Sequence, residues 1–118
     1  LIWTFRNNPA VLQDPKMYGW VKVDEEGRAL EVSCKEPIST DPLKDHAIIG
    51  SFTFKRASTF FSGVDSMIQK NRRINNEFYM DVALDECIRL GHIVLPHQVD
   101  SYTCWGTPQD VEKYNEAL

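Results

Sequence analysis

Eight residues near the middle of the chain, Ala47-Ile48-Ile49-Gly50-Ser51-Phe52-Thr53-Phe54, form its most apolar strand-like run, and the residues after them change period. A run apolar on both sides belongs at the centre of a sheet, where neither face meets water. After Lys55-Arg56, Phe60, Phe61, Val64, Met67 and Ile68 recur at i, i+1, i+4, i+7 and i+8. That is one face of a helix, which Ser58 can cap, and it places the aromatic pair in the core. A buried strand followed at once by an amphipathic helix restricts the chain to a mixed α/β fold. Gly50 interrupts the strand, which signals either close approach by a ligand or another backbone, or a bulge.

The flanking sequence supplies the other elements. Leu1-Ile2-Trp3-Thr4-Phe5 is a β-type run that Arg6-Asn7-Asn8-Pro9 breaks, and Asp14-Pro15 marks a second boundary, with room for one irregular helical turn between them. Residues 18–23 and 29–35 read as a β-hairpin across the polar turn Asp24-Glu25-Glu26-Gly27-Arg28. Two prolines and mostly polar residues make 36–45 a surface loop. Asn71-Arg72-Arg73-Ile74-Asn75-Asn76 is a polar loop before a second helix, expected from about Glu77 to Leu90 and ended by Gly91 in the C′ position. Val82, Ala83 and Cys87 should face the sheet with Tyr79 and Leu90. Asp81 and Asp85 share a face at i, i+4; the spacing suits a metal pair, but a solvated face with Asp85 paired to Arg89 is the simpler reading. His92 to Val99 is a further strand. Val99 to Cys104 continues as a strand that turns over Gly106 into a final helix, which starts at Pro108 behind the capping box of Thr107 and Asp110. Such a turn is a hinge and a candidate site wall, since free helix N–H groups face the cleft there.

With 118 residues, 42% hydrophobic and 25% charged, the chain has the size and balance of one globular domain, 1–118. A net charge of −4 with evenly mixed signs gives no basic stripe and no support for nucleic-acid binding. No run approaches the roughly 18 apolar residues of a membrane span, and no charged-then-apolar leader is visible. A soluble cytoplasmic protein is expected. Cys34, Cys87 and Cys104 are odd in number without a CxxC spacing, which argues for reduced thiols that pack. His46, His92 and His97 stand in no ligand or triad spacing and are assigned no chemistry. The chain opens on a β-type run with no initiator methionine, and so reads as the C-terminal part of a longer protein.

Five short motifs occur in a suggestive order: Tyr18-Gly19 before a hairpin, Cys34-Lys35 before a proline loop, Ile48-Ile49-Gly50-Ser51-Phe52, Asn76-Glu77-Phe78-Tyr79-Met80-Asp81, and Trp105-Gly106-Thr107-Pro108. Together they resemble the C-terminal half of the sugar-phosphate nucleotidyltransferases, the sugar-nucleotide pyrophosphorylases that join a sugar 1-phosphate to a nucleoside triphosphate. The resemblance covers nearly the whole chain. It implies a Rossmann-like mixed sheet with flanking helices, in which this part forms the sugar-binding wall and an N-terminal glycine-rich loop binds the nucleotide. In such chemistry a sugar phosphate oxygen attacks the α-phosphorus in line and pyrophosphate leaves, helped by positioning, Mg²⁺ and cations.

The resemblance also implies roles. Gly19 brings its backbone close to a sugar hydroxyl, Lys35 contacts the sugar phosphate as a point charge, Gly50 leaves room for the sugar ring, and Glu77 accepts sugar hydroxyls. Arg72 and Arg73 are candidate phosphate ligands beside the plainer reading of a solvated basic loop. Three departures stand out. A Glu-Lys-Pro pattern appears as Cys34-Lys35-Glu36-Pro37, so a thiol replaces the carboxylate that would hold sugar hydroxyls. The stretch from Asn76 to Asp81 is about one residue tighter than the common pattern. Cys104 stands where the family carries its Mg²⁺-binding aspartate, and a thiol is a poor ligand for a hard cation. Gly50, Gly63 and Gly91 are isolated, so the glycine-rich phosphate loop is not in these residues, and the chain alone is expected not to transfer nucleotides. Two readings from other classes stand beside this one: a non-catalytic sugar-phosphate-binding or regulatory domain, and a structural module that self-associates as a homo-oligomer.

Overall fold

The computed structural model describes residues Leu1–Leu118. Five strands form one mixed sheet: β1 (Ile2–Phe5), β2 (Gly19–Val23), β3 (Ala29–Cys34), β4 (His46–Phe52) and β5 (Pro96–Gln98), in the order β3-β2-β4-β1-β5. Three neighbouring pairs are antiparallel, and β1 with β5 is the single parallel pair. The apolar run in mid-sequence is thus the central strand. Three helices accompany the sheet: α1 (Ala57–Gln69), α2 (Met80–Arg89) and α3 (Pro108–Ala117). The fold is mixed α/β, and none of its helices is long and apolar enough to cross a membrane.

Alternation along the strands divides the core into two layers. Ile2, Val21, Val32 and Ile48 meet Leu84 and Cys87 of α2 on one face. Phe5, Trp20 and Ala47 point the other way and bury Val11 from the short 3₁₀ turn Pro9–Leu12. Tyr102 stacks on Phe5 at 4.0 Å and so seals that second face from a segment without regular structure.

Several boundaries differ from the sequence reading. Helix α2 starts at Met80 because Asn75 and Asn76, both at positive φ, form a tight turn in which Ile74 and Glu77 exchange 2.9 Å backbone hydrogen bonds. Helix α1 has Arg56 at its N-cap with no side-chain cap, so Ser58 lies inside the first turn. Of the strand expected over 92–99, only Pro96–Gln98 pairs, because the carbonyls of Val94 and Leu95 are taken by Ala29 N–H and Ile2 N–H as the chain crosses two strands in turn. Residues 99–105 form no strand; Tyr102 is held by its ring and by the Asn8 side chain, which donates to its carbonyl at 2.8 Å. His46 begins β4 instead of lying in a loop, and its Nδ1 is 2.8 Å from the buried Thr4 hydroxyl.

The helix faces also need correction. Phe61 is 58% exposed and Ile68 is half exposed, because α1 meets α2 through Gly63 and Met67; Phe60 packs only partly, against Phe54. Leu90 falls at the C-cap of α2 and is half exposed. Asp85 is no part of a solvated face. It is buried, accepts from Val32 N–H at 2.9 Å, and pairs with Arg72 as well as with the expected Arg89.

Helix α3 begins as the sequence requires: Thr107 Oγ1 accepts from Asp110 N–H at 3.1 Å, and the Asp110 carboxylate accepts from Thr107 N–H at 3.0 Å. Thr107→Ala is expected to lower stability by about 1 kcal/mol in urea titration, the usual cost of losing such a cap. An unchanged midpoint would mean that α3 is held by its contacts alone.

Candidate functional site

A hollow of about 280 Å³ opens where the start of β2, the end of β3, the middle of β4 and the start of α2 come together under the 102–110 segment. Gly19, Lys35 and Gly50, three residues far apart in the chain, line it together. Glu77 and Arg73 do not. Glu77 lies in the tight turn before α2, and Arg73 sits over the Phe78 ring at 4.2 Å while its guanidinium donates to Asn71 Oδ1 and the Asn76 carbonyl. Arg72 is no phosphate ligand either, for its guanidinium is engaged by Asp85 and Glu86.

The backbone at Lys35 is unusual. It has φ of 60°, and the other non-glycine residues with positive φ are all asparagines, which tolerate that region through their short polar side chains. A lysine there is strained, and strain of this kind collects at functional sites. The conformation is fixed from both sides: Lys35 N–H donates to the Tyr18 carbonyl at 3.1 Å and Ser33 Oγ to the Glu36 carbonyl at 2.7 Å. As a result the lysine leaves the strand and enters the hollow. Its ammonium lies 5.4 Å from the Tyr79 ring centre and pairs with no carboxylate.

Gly50 also has a positive φ, 115°, at a bulge where β4 gains residues on β1: Ile2 faces Phe52 but Thr4 faces Ile48. Gly50 lines the hollow, and nothing lies within 4 Å of where its Cβ would be. Gly19 is tight instead. A Cβ there would overlap the carboxylate of Asp81 and come within 2.9 Å of Ile48 Cδ1.

The remaining wall is polar and aromatic. Burial pushes the Asp81 carboxyl above the usual carboxylate range, against the hydrogen-bonding Cys34 thiol and the Lys35 charge. Burial, then the Asp81 charge, pushes the Cys34 thiol up to about 11. Cys104 is not simply packed: it lines the hollow, donates to Asp110 Oδ2 at 3.3 Å and lies 3.5 Å from the Tyr18 hydroxyl. Burial and the Cys104 and Asp110 neighbours raise Tyr18 far above its ordinary value, and Tyr102 is pushed up to about 12 by the same causes. Both phenols are therefore neutral donors at physiological pH.

These residues do not fit a Mg²⁺ site. Asp110 Oδ2 is already occupied by the Thr107 N–H and the Cys104 thiol, and no three His, Cys, Asp or Glu side chains converge as a donor set. A hard cation needs oxygens, and the thiol supplies none.

Tyr102 and Asp110 lie in the 99–110 segment whose turn is the expected site wall, whereas the sequence gives Tyr79 no site role and its i, i+4 pattern favours a solvated face for Asp81. A signal for Asp81 was present: with the helix starting at 80 instead of 77, it falls in the first turn, at the end of α2 that meets the hollow.

No protein-family model matches the chain, and no curated protein matches it. Among solved structures, it is similar to the crystal structure of a nucleoside-diphosphate-sugar pyrophosphorylase from Vibrio cholerae RC9, with a TM-score of 0.74 and 16% identity. The likeness covers 98% of this chain and 45% of that one, so this chain spans less than half of its length. What the two share is the mixed α/β fold, and this chain has the fold of one part of that pyrophosphorylase.

Proposed function

We propose that this chain forms the sugar-phosphate-binding wall of a sugar-phosphate nucleotidyltransferase, which joins a nucleoside triphosphate to a sugar 1-phosphate and releases pyrophosphate. The observation that carries the reading is that Gly19, Lys35 and Gly50, chosen from scattered motifs, line one hollow with an unpaired ammonium in it. Its volume suits a small ligand, near the lower end of binding pockets, roughly 300 Å³. Lys35 would meet the phosphate, and Gly50, without a side chain, would leave room for the sugar ring. The nucleotide would be held by residues outside this chain.

Calorimetric titration with hexose 1-phosphates tests this. The chain should bind at least one of them, and Lys35→Ala should weaken binding about tenfold to a hundredfold, the effect of a charge-assisted contact. Equal binding by the variant would defeat the assignment.

A second reading, a sugar-phosphate-binding domain without catalysis, is favoured by the poor fit of Cys104 and Asp110 to Mg²⁺. Pyrophosphate release by the longest form of the protein, assayed with and without Mg²⁺, separates the two. The 118-residue chain alone should release none.

A further inference from the structure

We propose that Asp81 is the acceptor for the sugar hydroxyls in the hollow, doing what the thiol at position 34 cannot do. The inference rests on the sugar-phosphate reading above and adds a residue that decides which sugar is held.

Asp81 lines the same hollow as Lys35 and Gly50, although it belongs to a different element, the first turn of α2. Its surroundings set it apart from the acids that follow it on the helix. Asp85 is engaged by Arg72 and Arg89, and Glu86 by Lys70 and Arg72, whereas no Lys, Arg or His nitrogen pairs with Asp81. A half-buried carboxylate that forms no ion pair costs stability, and the Lys35 charge of the same hollow offsets that cost in part. The fold even makes room for it. Position 19 must lack a side chain because the Asp81 carboxylate stands where a Cβ would be. Gly19 therefore serves the carboxylate, and the sugar meets the carboxylate in turn.

The chemistry then sorts the two ends of the ligand. A carboxylate repels a phosphate but accepts strongly from hydroxyls, while the Lys35 ammonium attracts the phosphate. With Lys35 and Asp81 on one hollow, the phosphate goes to the lysine and one or two ring hydroxyls to the aspartate. The Cys34 thiol lines the same hollow beside the carboxylate.

The test is titration of the 118-residue chain with glucose 1-phosphate, galactose 1-phosphate, mannose 1-phosphate and inorganic phosphate, using wild type, Asp81→Asn and Asp81→Ser. Asparagine keeps the shape and removes the charge; serine removes the carboxylate without adding volume. Single-deoxy analogues of the tightest binder are titrated against the wild type, so that one arm needs no variant. The expected result is an affinity for that sugar phosphate lowered about tenfold to a hundredfold by either substitution, with inorganic phosphate bound as before or better. One deoxy analogue should lose as much against wild type and nothing further against Asp81→Asn, the mark of a direct contact. If sugar phosphates bind the wild type and either folded variant equally, or if every deoxy analogue binds the wild type as well as its parent, Asp81 is not the acceptor and the sugar-phosphate reading survives. If no sugar phosphate binds the wild type, that reading fails and takes this one with it.

Discussion

Arg72→Ala is expected to cost about 3 to 5 kcal/mol of folding stability, a large share of the roughly 5 to 15 kcal/mol of a small domain. Arg72 makes the closest contacts to both buried acids, Asp85 at 2.9 Å and Glu86 at a shorter contact, while the more exposed Arg89 lies 3.0 and 3.8 Å from them. Glu86 is wholly buried; Ser66 Oγ donates to it at 2.6 Å and Lys70 Nζ lies 2.7 Å away. Burial by itself pushes the Glu86 carboxyl up, but the hydrogen bonds from Lys70, Ser66 and Arg72 outweigh it and hold it at about 2. Removing the guanidinium leaves two adjacent carboxylates short of positive charge inside the α1–α2 junction. The sign of the pH dependence follows. Because the folded carboxyl sits below its unfolded value of 4.5, its contribution is complete above that pH and is lost as pH falls toward 2. In Arg72→Ala the folded carboxyl should rise, so the loss should begin at higher pH. Urea titrations of both proteins between about pH 3 and 7 check this. A difference below about 1 kcal/mol at pH 7 would show that Lys70, Ser66 and Arg89 suffice to hold the pair.

Gly63→Ala should also destabilise the protein, by about 2 kcal/mol, although alanine in the middle of a helix is ordinarily worth up to about 1 kcal/mol in the opposite direction. The sign is decided by the partner helix. A Cβ at position 63 would lie 2.7 Å from the Ala83 carbonyl oxygen and 2.5 Å from Cys87 Sγ. The carbonyl is part of the α2 backbone and cannot turn aside. Helices α1 and α2 would have to separate, loosening the contact of the Cys87 thiol with the Thr59 carbonyl, now 3.6 Å. Gly63→Val should do more. Equal or higher stability of Gly63→Ala in thermal unfolding would mean that the interface slides without loss.

The two substitutions bear on the candidate site as well. Asp81 and Tyr79 reach the hollow from the N-terminal end of α2, and α2 is placed by the Gly63 contact and the Arg72 pairs. Ligand affinity should therefore fall with stability in these variants, whereas Lys35→Ala should lower affinity with little change in folding.

The sequence by itself determined the hairpin, the central strand and the capped start of α3, and the resemblance of its short motifs to a known family singled out Gly19, Lys35 and Gly50, which line one hollow. Gly19, Lys35 and Gly50 lie at strand ends or at a bulge, and pairing partners along a ladder bring such positions together. Alternation and capping are local rules, read directly from residue types. Only the tertiary structure decided the rest. That Asn75-Asn76 would turn tightly and leave Glu77 outside the helix depended on two left-handed residues in succession. That Arg72 would be spent on Asp85 and Glu86, and that Asp81 would enter the hollow, depended on which face of α2 met the sheet. The i, i+4 spacing of Asp81 and Asp85 is the same whether a helix faces water or protein. Which charges pair and which stay free is settled by distance in space, and spacing along one helix cannot encode the arrival of a guanidinium from the neighbouring loop.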